Sequence, residues 1–246
     1  MELKISGLSK IFTAVTGETI FHLELPEMKF QYGSVNYILG HNGSGKSVFL
    51  KLISGELLPT DSIINIVHQN KSYTTNQMNV AIVRQNAEDN ICLDLSVEEN
   101  LIIRLSINTI KKSFFPKNML KQQIIDALDG HNELLMKTKQ VCSELSGGQS
   151  QVLAFLSATS QKSVILCLDE FLSSTDHNTS ILLRQKAKDY AKQFNACVLI
   201  VSHDFDVALE DADEIFIFNN GRLASQIQRN SSLWNKTDLV RLVHFS

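Results

Sequence analysis

The octapeptide Gly40-His41-Asn42-Gly43-Ser44-Gly45-Lys46-Ser47 fits the pattern G-x-x-x-x-G-K-[ST], known as Walker A. An apolar run at residues 35–39 precedes it and an apolar segment starting at Val48 follows it, which predicts a strand, a loop and a helix. The glycines let the backbone approach a triphosphate closely, and the loop amides with the helix N-terminus form an anion site. The pattern therefore predicts that Lys46 reaches the β and γ phosphates and that the Ser47 hydroxyl holds Mg²⁺.

The composition is that of an ordinary globular protein. The chain has 246 residues, of which 43% are hydrophobic and 20% charged, and this length suits one large domain or two small ones. A formal net charge of −3 predicts no overall attraction to nucleic acid or to anionic lipid. No apolar stretch approaches the ~20 residues that span a bilayer, and the first residues lack the apolar core of a signal peptide. We therefore expect a cytoplasmic protein.

The apolar pattern changes along the chain. Three runs near the N-terminus have the pattern of strands and indicate an antiparallel β region: 3–8, 19–25 and 28–30. Residues 69–77 are polar and predict a loop. Three later segments have the spacing of helices: 97–106, 120–128 and 149–159.

The β pattern returns in the last third of the chain. Continuous apolar runs at 163–168 and 196–201 suit strands that are buried on both faces of a parallel sheet. A helix predicted at 181–194 lies between them and completes a β–α–β unit. We predict one domain that spans 1–246, with an α/β core and β region at 1–85 and 161–246 and a helical subdomain at 86–160.

The apolar run that starts at Ser163 ends in two acidic residues, Asp169 and Glu170, which is a Walker B pattern. A buried strand should deliver Asp169 to the metal beside Ser47. Glu170 would then lie near the γ-phosphate and could polarise the attacking water as a general base. The alternative is a plain strand that ends in a solvated acidic turn.

A second glycine-rich segment, Leu145-Ser146-Gly147-Gly148-Gln149, directly precedes a predicted helix. Ser146 and the two glycine amides could donate hydrogen bonds to a phosphate at that helix N-terminus. The alternative is a flexible turn in which Ser146 caps the helix. The order of this segment relative to the two Walker motifs favours the phosphate site.

With this pentapeptide the chain resembles the nucleotide-binding subunits of ATP-binding cassette (ABC) transporters, whose signature motif is Leu-Ser-Gly-Gly-Gln. Gln85 matches the Q-loop glutamine, which contacts Mg²⁺ and communicates with the membrane partner, and residues 173–176 resemble the D-loop. His203 matches the switch histidine, which contacts the γ-phosphate. Phe12 lies where the family carries an aromatic residue that stacks on adenine. Taken alone, His203 would be a polar residue at a strand end and Phe12 a core residue.

The resemblance covers residues 2–230 and implies an α/β fold. That fold is a RecA-like P-loop NTPase core with an N-terminal antiparallel β subdomain and an inserted α-helical subdomain. ATP would be bound by Phe12, Gln85, the octapeptide with Val48 and, from the other protomer of a head-to-tail dimer, Ser146, Gly147, Gly148 and Gln149. Mg²⁺ would be held by Ser47, Gln85 and Asp169, and catalysis would use Glu170, His203 and Lys46.

The resemblance also implies partners. They are transmembrane permease subunits, a second copy of this chain as a homodimer and an extracytoplasmic substrate-binding protein, with no nucleic acid. The chain would then lie on the cytoplasmic face of the inner membrane, and the pattern between Ser146 and Asp176 favours import. The transported substrate is not encoded in these residues.

Several residues depart from the family's usual pattern. Phe171-Leu172 replaces Pro-Thr, His41 replaces a proline, and two signature-helix arginines are replaced by Val152 and Ser157. None of these changes removes a group assigned to phosphate, metal or water, so we expect ATP hydrolysis to be retained. Two alternatives are a non-transport ABC ATPase of translation or chromosome maintenance, and a degenerate cassette that binds ATP without turnover.

Overall fold

The computed structural model describes residues 2–60, 62–106, 117–128 and 130–245, which form twelve β-strands and eight α-helices. The strands are β1 (Glu2–Ser6), β2 (Ser9–Thr13), β3 (Thr19–Glu24), β4 (Met28–Gln31), β5 (Val35–Leu39), β6 (Asn65–His68), β7 (Lys71–Thr74), β8 (Val80–Val83), β9 (Ile165–Asp169), β10 (Cys197–Val201), β11 (Glu214–Asn219) and β12 (Arg222–Gln228). The helices are α1 (Lys46–Ile53), α2 (Val97–Ser106), α3 (Lys117–Ala127), α4 (Asn132–Met136), α5 (Gly147–Thr159), α6 (His177–Phe194), α7 (Phe205–Asp211) and α8 (Lys236–Phe245).

The chain forms two compact units. The first contains Met1–Ile82, Ser163–Glu170 and Arg184–Ser246, and the second contains Val83–Lys162 and Phe171–Leu183. The sequence-based division differs because it assigned three segments of this second unit to the α/β core: residues 83–85, 161–162 and 171–183. Within the predicted helical subdomain, residues 107–116 and 129 lie outside the described residues.

A six-stranded sheet forms the centre of the first unit, in the order β12-β11-β5-β10-β9-β8. Strand β5 is parallel to β10 and β11, and β10 is also parallel to β9. Every residue of β5 and β10 is buried, which explains why their sequences are continuously apolar or nearly so. The predicted β–α–β unit and α/β core are confirmed, with α6 connecting β9 to β10.

The first unit also contains the predicted antiparallel region, as a four-stranded sheet β4-β1-β6-β7 and a separate hairpin of β2 and β3. The strand predicted at 3–8 is interrupted at Gly7, where φ is +76° and an added Cβ would lie 2.2 Å from the carbonyl oxygen of Ile63. Only glycine fits there, and β2 starts a new sheet beyond it. Strand β7 lies in residues predicted as a loop, because its sequence KSYT is polar and it is an edge strand.

In the second unit, α2 packs against the signature helix α5. The positions where two arginines were expected, Val152 and Ser157, are buried, so small uncharged side chains fit this core. Phe171 is also buried and stacks on Phe155 of α5, with ring centroids 6.2 Å apart. These departures from the family pattern are therefore packing residues.

The structure contains no candidate membrane span: among the described helices, none is both long enough and apolar enough to cross a bilayer.

Candidate functional site

The phosphate loop connects the carboxyl end of β5 to the start of α1. Gly45 precedes α1 with φ at +104°, and a Cβ added there would lie 2.6 Å from Leu23 Cδ1. A Cβ on Gly40 would lie 2.3 Å from the carbonyl oxygen of Phe218. The backbone contact at Gly40 and the positive φ of Gly45 both favour glycine at these positions. Ser44 Oγ is buried and has no hydrogen-bond partner among the described residues, which fits a loop that binds an anion.

Lys46 is almost completely buried in this loop. Its Nζ donates hydrogen bonds to the carbonyl oxygens of Gly40, at 2.8 Å, and His41, at 3.0 Å. Burial lowers the pKa of Lys46, whereas the charges of Glu170 and Asp169 raise it, and the net shift is downward. The ammonium group is thus held within the loop that is predicted to bind the β and γ phosphates.

Asp169 stands at the carboxyl end of β9, beside the first turn of α1. Ser47 Oγ donates a hydrogen bond to Asp169 Oδ1 over 3.2 Å. Burial raises the pKa of Asp169, the hydrogen bond from Ser47 lowers it, and the net shift is upward. A hydroxyl and a carboxylate are ligand types that suit Mg²⁺, which keeps several water or phosphate ligands. No cluster of three or more histidine, cysteine or acidic side chains that could cage a metal occurs among the described residues.

Glu170 and His203 form the next part of the site. His203 follows β10, and its Nε2 lies 2.7 Å from Glu170 Oε1. Both side chains are partly exposed, so solvent and a substrate can reach the pair. The carboxyl ends of β5, β9 and β10 therefore bring together Lys46, Ser47, Asp169, Glu170 and His203, as expected for a parallel α/β sheet.

Phe12 lies on the β2–β3 hairpin and is half-buried. Its ring is 6.2 Å from that of Phe21, and Lys10 Nζ lies 5.8 Å from its centroid. Phe21 also borders the phosphate loop, because a Cβ on Gly45 would lie 3.1 Å from its ring. The hairpin that carries the predicted adenine-stacking residue thus packs directly on the phosphate loop.

The signature residues lie in the second unit, at the N-terminus of α5. Ser146 caps this helix, its Oγ accepting a hydrogen bond from Gln149 N, and Gln149 Oε1 accepts one from Ser146 N. Gln149 also bonds Lys137 Nζ and Glu133 Oε2, each at 2.9 Å. A cavity of about 680 Å³ opens beside the motif and includes Asp176, which caps α6.

Gln85 lies in the second unit, two residues after the end of β8, and is exposed. The loop around it is held by Asn90, whose Oδ1 accepts from Arg84 N at 2.8 Å and whose Nδ2 donates to the carbonyl oxygens of Arg84 and Asn86. Asn90 was not predicted, because no motif marks it. The approach of Gln85 to Mg²⁺, and that of the signature residues to ATP, remain predictions.

Comparison with known proteins identifies a family. The family model described as ABC transporter matches residues 23–173. A sulfate/thiosulfate import ATP-binding protein, CysA of Mesostigma viride, is 29% identical over 96% of this chain and 64% of its own length. The methionine import ATP-binding protein MetN of Francisella tularensis is 29% identical over 80% of this chain and 56% of its own length. This chain therefore spans about three fifths of these two relatives.

A third relative is covered more fully. The energy-coupling factor transporter ATP-binding protein EcfA1 of Mycoplasma genitalium is 32% identical over 82% of this chain and 74% of its own length. Among solved structures, CbiO1 of Clostridium perfringens, part of the ABC transporter complex CbiONQ, is 20% identical with a TM-score of 0.75, over 97% of this chain and 92% of its own. An ATP-binding cassette dimer in a post-hydrolysis state with ADP and Pi is 21% identical with a TM-score of 0.78, over 93% of this chain and 99% of its own.

Proposed function

Because this chain belongs to the ABC transporter family, we propose that it is an ATP-hydrolysing subunit that powers transport through separate membrane permease subunits. The relatives named above as import ATP-binding proteins support import as the direction of transport. The observation that carries the proposal is the contact set at the carboxyl edge of the sheet. There Lys46 lies in the phosphate loop, Ser47 bonds Asp169, and Glu170 bonds His203.

The proposed reaction is in-line attack of water on the γ-phosphorus of ATP. Glu170 accepts a proton from the water, a new P–O bond forms, and the bond between the γ-phosphorus and the β–γ bridging oxygen breaks to give ADP and phosphate. His203 orients the Glu170 carboxylate through their hydrogen bond, and Lys46 neutralises charge that develops on the phosphates. Ser47 and Asp169, with Gln85, would hold Mg²⁺, which supplies further charge neutralisation.

We further infer that two copies act as a head-to-tail homodimer. The amide-rich Ser146 loop would then complete the nucleotide site of the partner, across from its phosphate loop. The cavity beside the motif supports this role, because it leaves room for an anionic ligand at the N-terminus of α5, where Ser146 at present caps the helix. Transmembrane permease subunits, which this chain would contact from the cytoplasmic face of the membrane, and an extracytoplasmic substrate-binding protein complete the proposed assembly.

The packing role of Phe171 supports an active cassette over a degenerate one. Its ring is buried against Phe155, so the unusual residue after Glu170 removes no polar group from the site. The carboxylate of Glu170 remains paired with His203.

Glu170→Gln tests the proposed function. The variant should lose steady-state phosphate release by a factor of about 10²–10⁴, because the general base is gone. Its ATP affinity should stay within about threefold, since glutamine is isosteric with glutamate, a change below about 0.7 kcal/mol. Glu27→Gln, on the surface beside Lys29, is the matched control and should hydrolyse ATP like the parent. Parent-like turnover in Glu170→Gln would remove Glu170 from the role of base, and a parent that does not bind ATP would end the proposal.

A further inference from the structure

A tight turn supports the phosphate loop from the side of β11. Asn220 and Gly221 join β11 to β12 with φ at +46° and +76°, as in a type I′ hairpin turn. Gly221 N donates a hydrogen bond to the carbonyl oxygen of Ser44 in the phosphate loop, at 3.0 Å. Its own carbonyl oxygen accepts from Glu24 N on the β2–β3 hairpin, at 2.8 Å. The turn thus connects the loop to the hairpin that carries Phe12.

The residue before this turn, Asn219, contacts the loop through a side chain. Its Oδ1 lies 2.8 Å from His41 Nε2, and the other ring nitrogen, Nδ1, lies 2.7 Å from the carbonyl oxygen of Asn42. A carbonyl can only accept, so His41 Nδ1 must carry a proton. Asn219 can present its amide oxygen to a protonated Nε2 or its amide nitrogen to an unprotonated Nε2. The side chain of Asn219 and the carbonyl oxygen of Asn42 therefore hold the two ring nitrogens of His41.

The position of His41 matters for the rest of the loop. Its carbonyl oxygen accepts hydrogen bonds from Lys46 Nζ, at 3.0 Å, and from Ser44 N, at 3.2 Å. A movement of His41 would therefore shift the lysine and the central loop amide together. The side chain of Asn219 fixes His41 from a strand that is 178 residues away in sequence.

We propose that Asn219 is a positioning residue for nucleotide binding, which acts through His41 to hold the phosphate loop in the conformation that accepts a triphosphate. The inference rests on the proposed ATP-binding function. Asn219 acts through the phosphate loop and is not assigned a contact with ATP. Its loss should weaken ATP binding because the loop is less firmly held, and should leave the hydrolytic groups Glu170 and His203 in place.

The test is the affinity for ATP with Mg²⁺, measured by equilibrium dialysis, together with steady-state hydrolysis. Asn219→Ala should raise the Kd and the KM for ATP about five- to tenfold, the effect of one hydrogen bond, with kcat at saturating ATP within about twofold. A purely structural role would instead lower kcat, by reducing the folded fraction, and would leave KM unchanged. Asn235→Ala is the matched control: it removes the side-chain acceptor for Asp238 N at α8, and should leave the Kd unchanged.

A double-mutant cycle tests the route through His41. In a His41→Pro background the hydrogen bond is already absent, so adding Asn219→Ala should change the Kd by less than about twofold. If Asn219→Ala does not fold, His41→Ala removes the same bond from the loop side and should show the same rise in Kd.

Two results would overturn the inference while the proposed function stands. One is a folded Asn219→Ala that binds ATP as tightly as a parent that does bind it. The other is an Asn219→Ala effect that persists undiminished in the His41→Pro background. A parent chain that binds no ATP would overturn both the inference and the proposed function.

Discussion

Glu170 is constrained in both its backbone and its side chain. Its φ of +45° lies in the left-handed region, which costs a non-glycine residue on the order of 1–3 kcal/mol. Glu170 N donates to the carbonyl oxygen of Val201 at 3.0 Å, and this bond ties the strained residue to β10. The carboxylate then depends on His203 for its orientation. Backbone strain held in this way is typical of residues that must present one geometry to a substrate.

Substitution of His203 should therefore reduce turnover by releasing Glu170. We expect His203→Ala to lower kcat about 10- to 100-fold, the value of a hydrogen bond to a charged group, with ATP affinity changed less. His203→Gln keeps a donor for the carboxylate and should fall between alanine and the parent. Phosphate release at saturating ATP measures both variants. Equal rates for glutamine and alanine would contradict the orienting role.

At the scale of elements, a buried ionic network joins α6, α7 and β5. Asp211 at the end of α7 is almost fully buried and is bonded by Arg184, with Nη2 at 2.7 Å, and by Lys188, with Nζ at 2.5 Å. The hydroxyl of Tyr37 donates to the same carboxylate at 3.4 Å. Burial alone would raise the pKa of Asp211, but the hydrogen bonds from Arg184 and Lys188 outweigh it and the pKa is lowered. The network fixes α7, which begins just after His203.

Asp211→Asn should destabilise the protein by about 3–5 kcal/mol, because it leaves Arg184 and Lys188 without their shared charge. Asp206→Asn on the same helix is the control. Asp206 pairs with Lys236 on the surface, so its loss should cost about 1 kcal/mol or less.

Because the pKa of Asp211 is depressed by folding, its contribution to stability is present above the unfolded pKa of about 3.9 and is lost as pH falls through the folded pKa. Denaturation midpoints should therefore differ most near neutral pH and converge below about pH 4. A difference that does not change with pH would contradict the assignment.

The sequence predicts elements well where burial is periodic or continuous. Strands β9 and β10 are buried apolar runs, and α2 has the predicted bounds. The prediction misses elements that the local pattern does not mark. Strand β7 is polar because it pairs only with β6, and the separation of β1 from β2 depends on Gly7 meeting the backbone at Ile63. Such features depend on tertiary contacts, which a local pattern does not contain.

The same distinction applies to the site. The residues of the Walker motifs could be predicted because a phosphate, a metal and a water each require a residue type at a fixed spacing. The hydrogen bond between His41 and Asn219 could not be predicted, because no sequence motif relates two side chains that lie 178 residues apart. Nor could Asn90, which holds the Gln85 loop through three backbone bonds.

At the scale of the whole molecule, each chain carries one phosphate loop, in the first unit, and one signature loop, in the second. In the proposed dimer there are two equivalent nucleotide sites. Each site combines the phosphate loop of one copy with the signature loop of the other. A two-fold arrangement closes on itself, so the number of sites equals the number of chains. This pairing predicts that two different inactive variants can restore one another.

Mixing Lys46→Met with Ser146→Arg tests the exchange. Each variant alone should be inactive, because every site in its homodimer has either a defective phosphate loop or a blocked signature loop. Random pairing makes half of the dimers mixed, and each mixed dimer has one site with both halves intact. Phosphate release should therefore recover to about a quarter of the parent's rate if the sites act independently.

A mixture of Lys46→Met with Glu170→Gln is the control. It should remain inactive, because Lys46 and Glu170 both belong to the part of each site that one chain contributes together with its phosphate loop. If both mixtures stay inactive although chains are shown to exchange between dimers, the phosphate loop and the signature loop of one site do not come from different copies. Recovery in both mixtures would equally contradict the arrangement, since no pairing of the control variants yields an intact site.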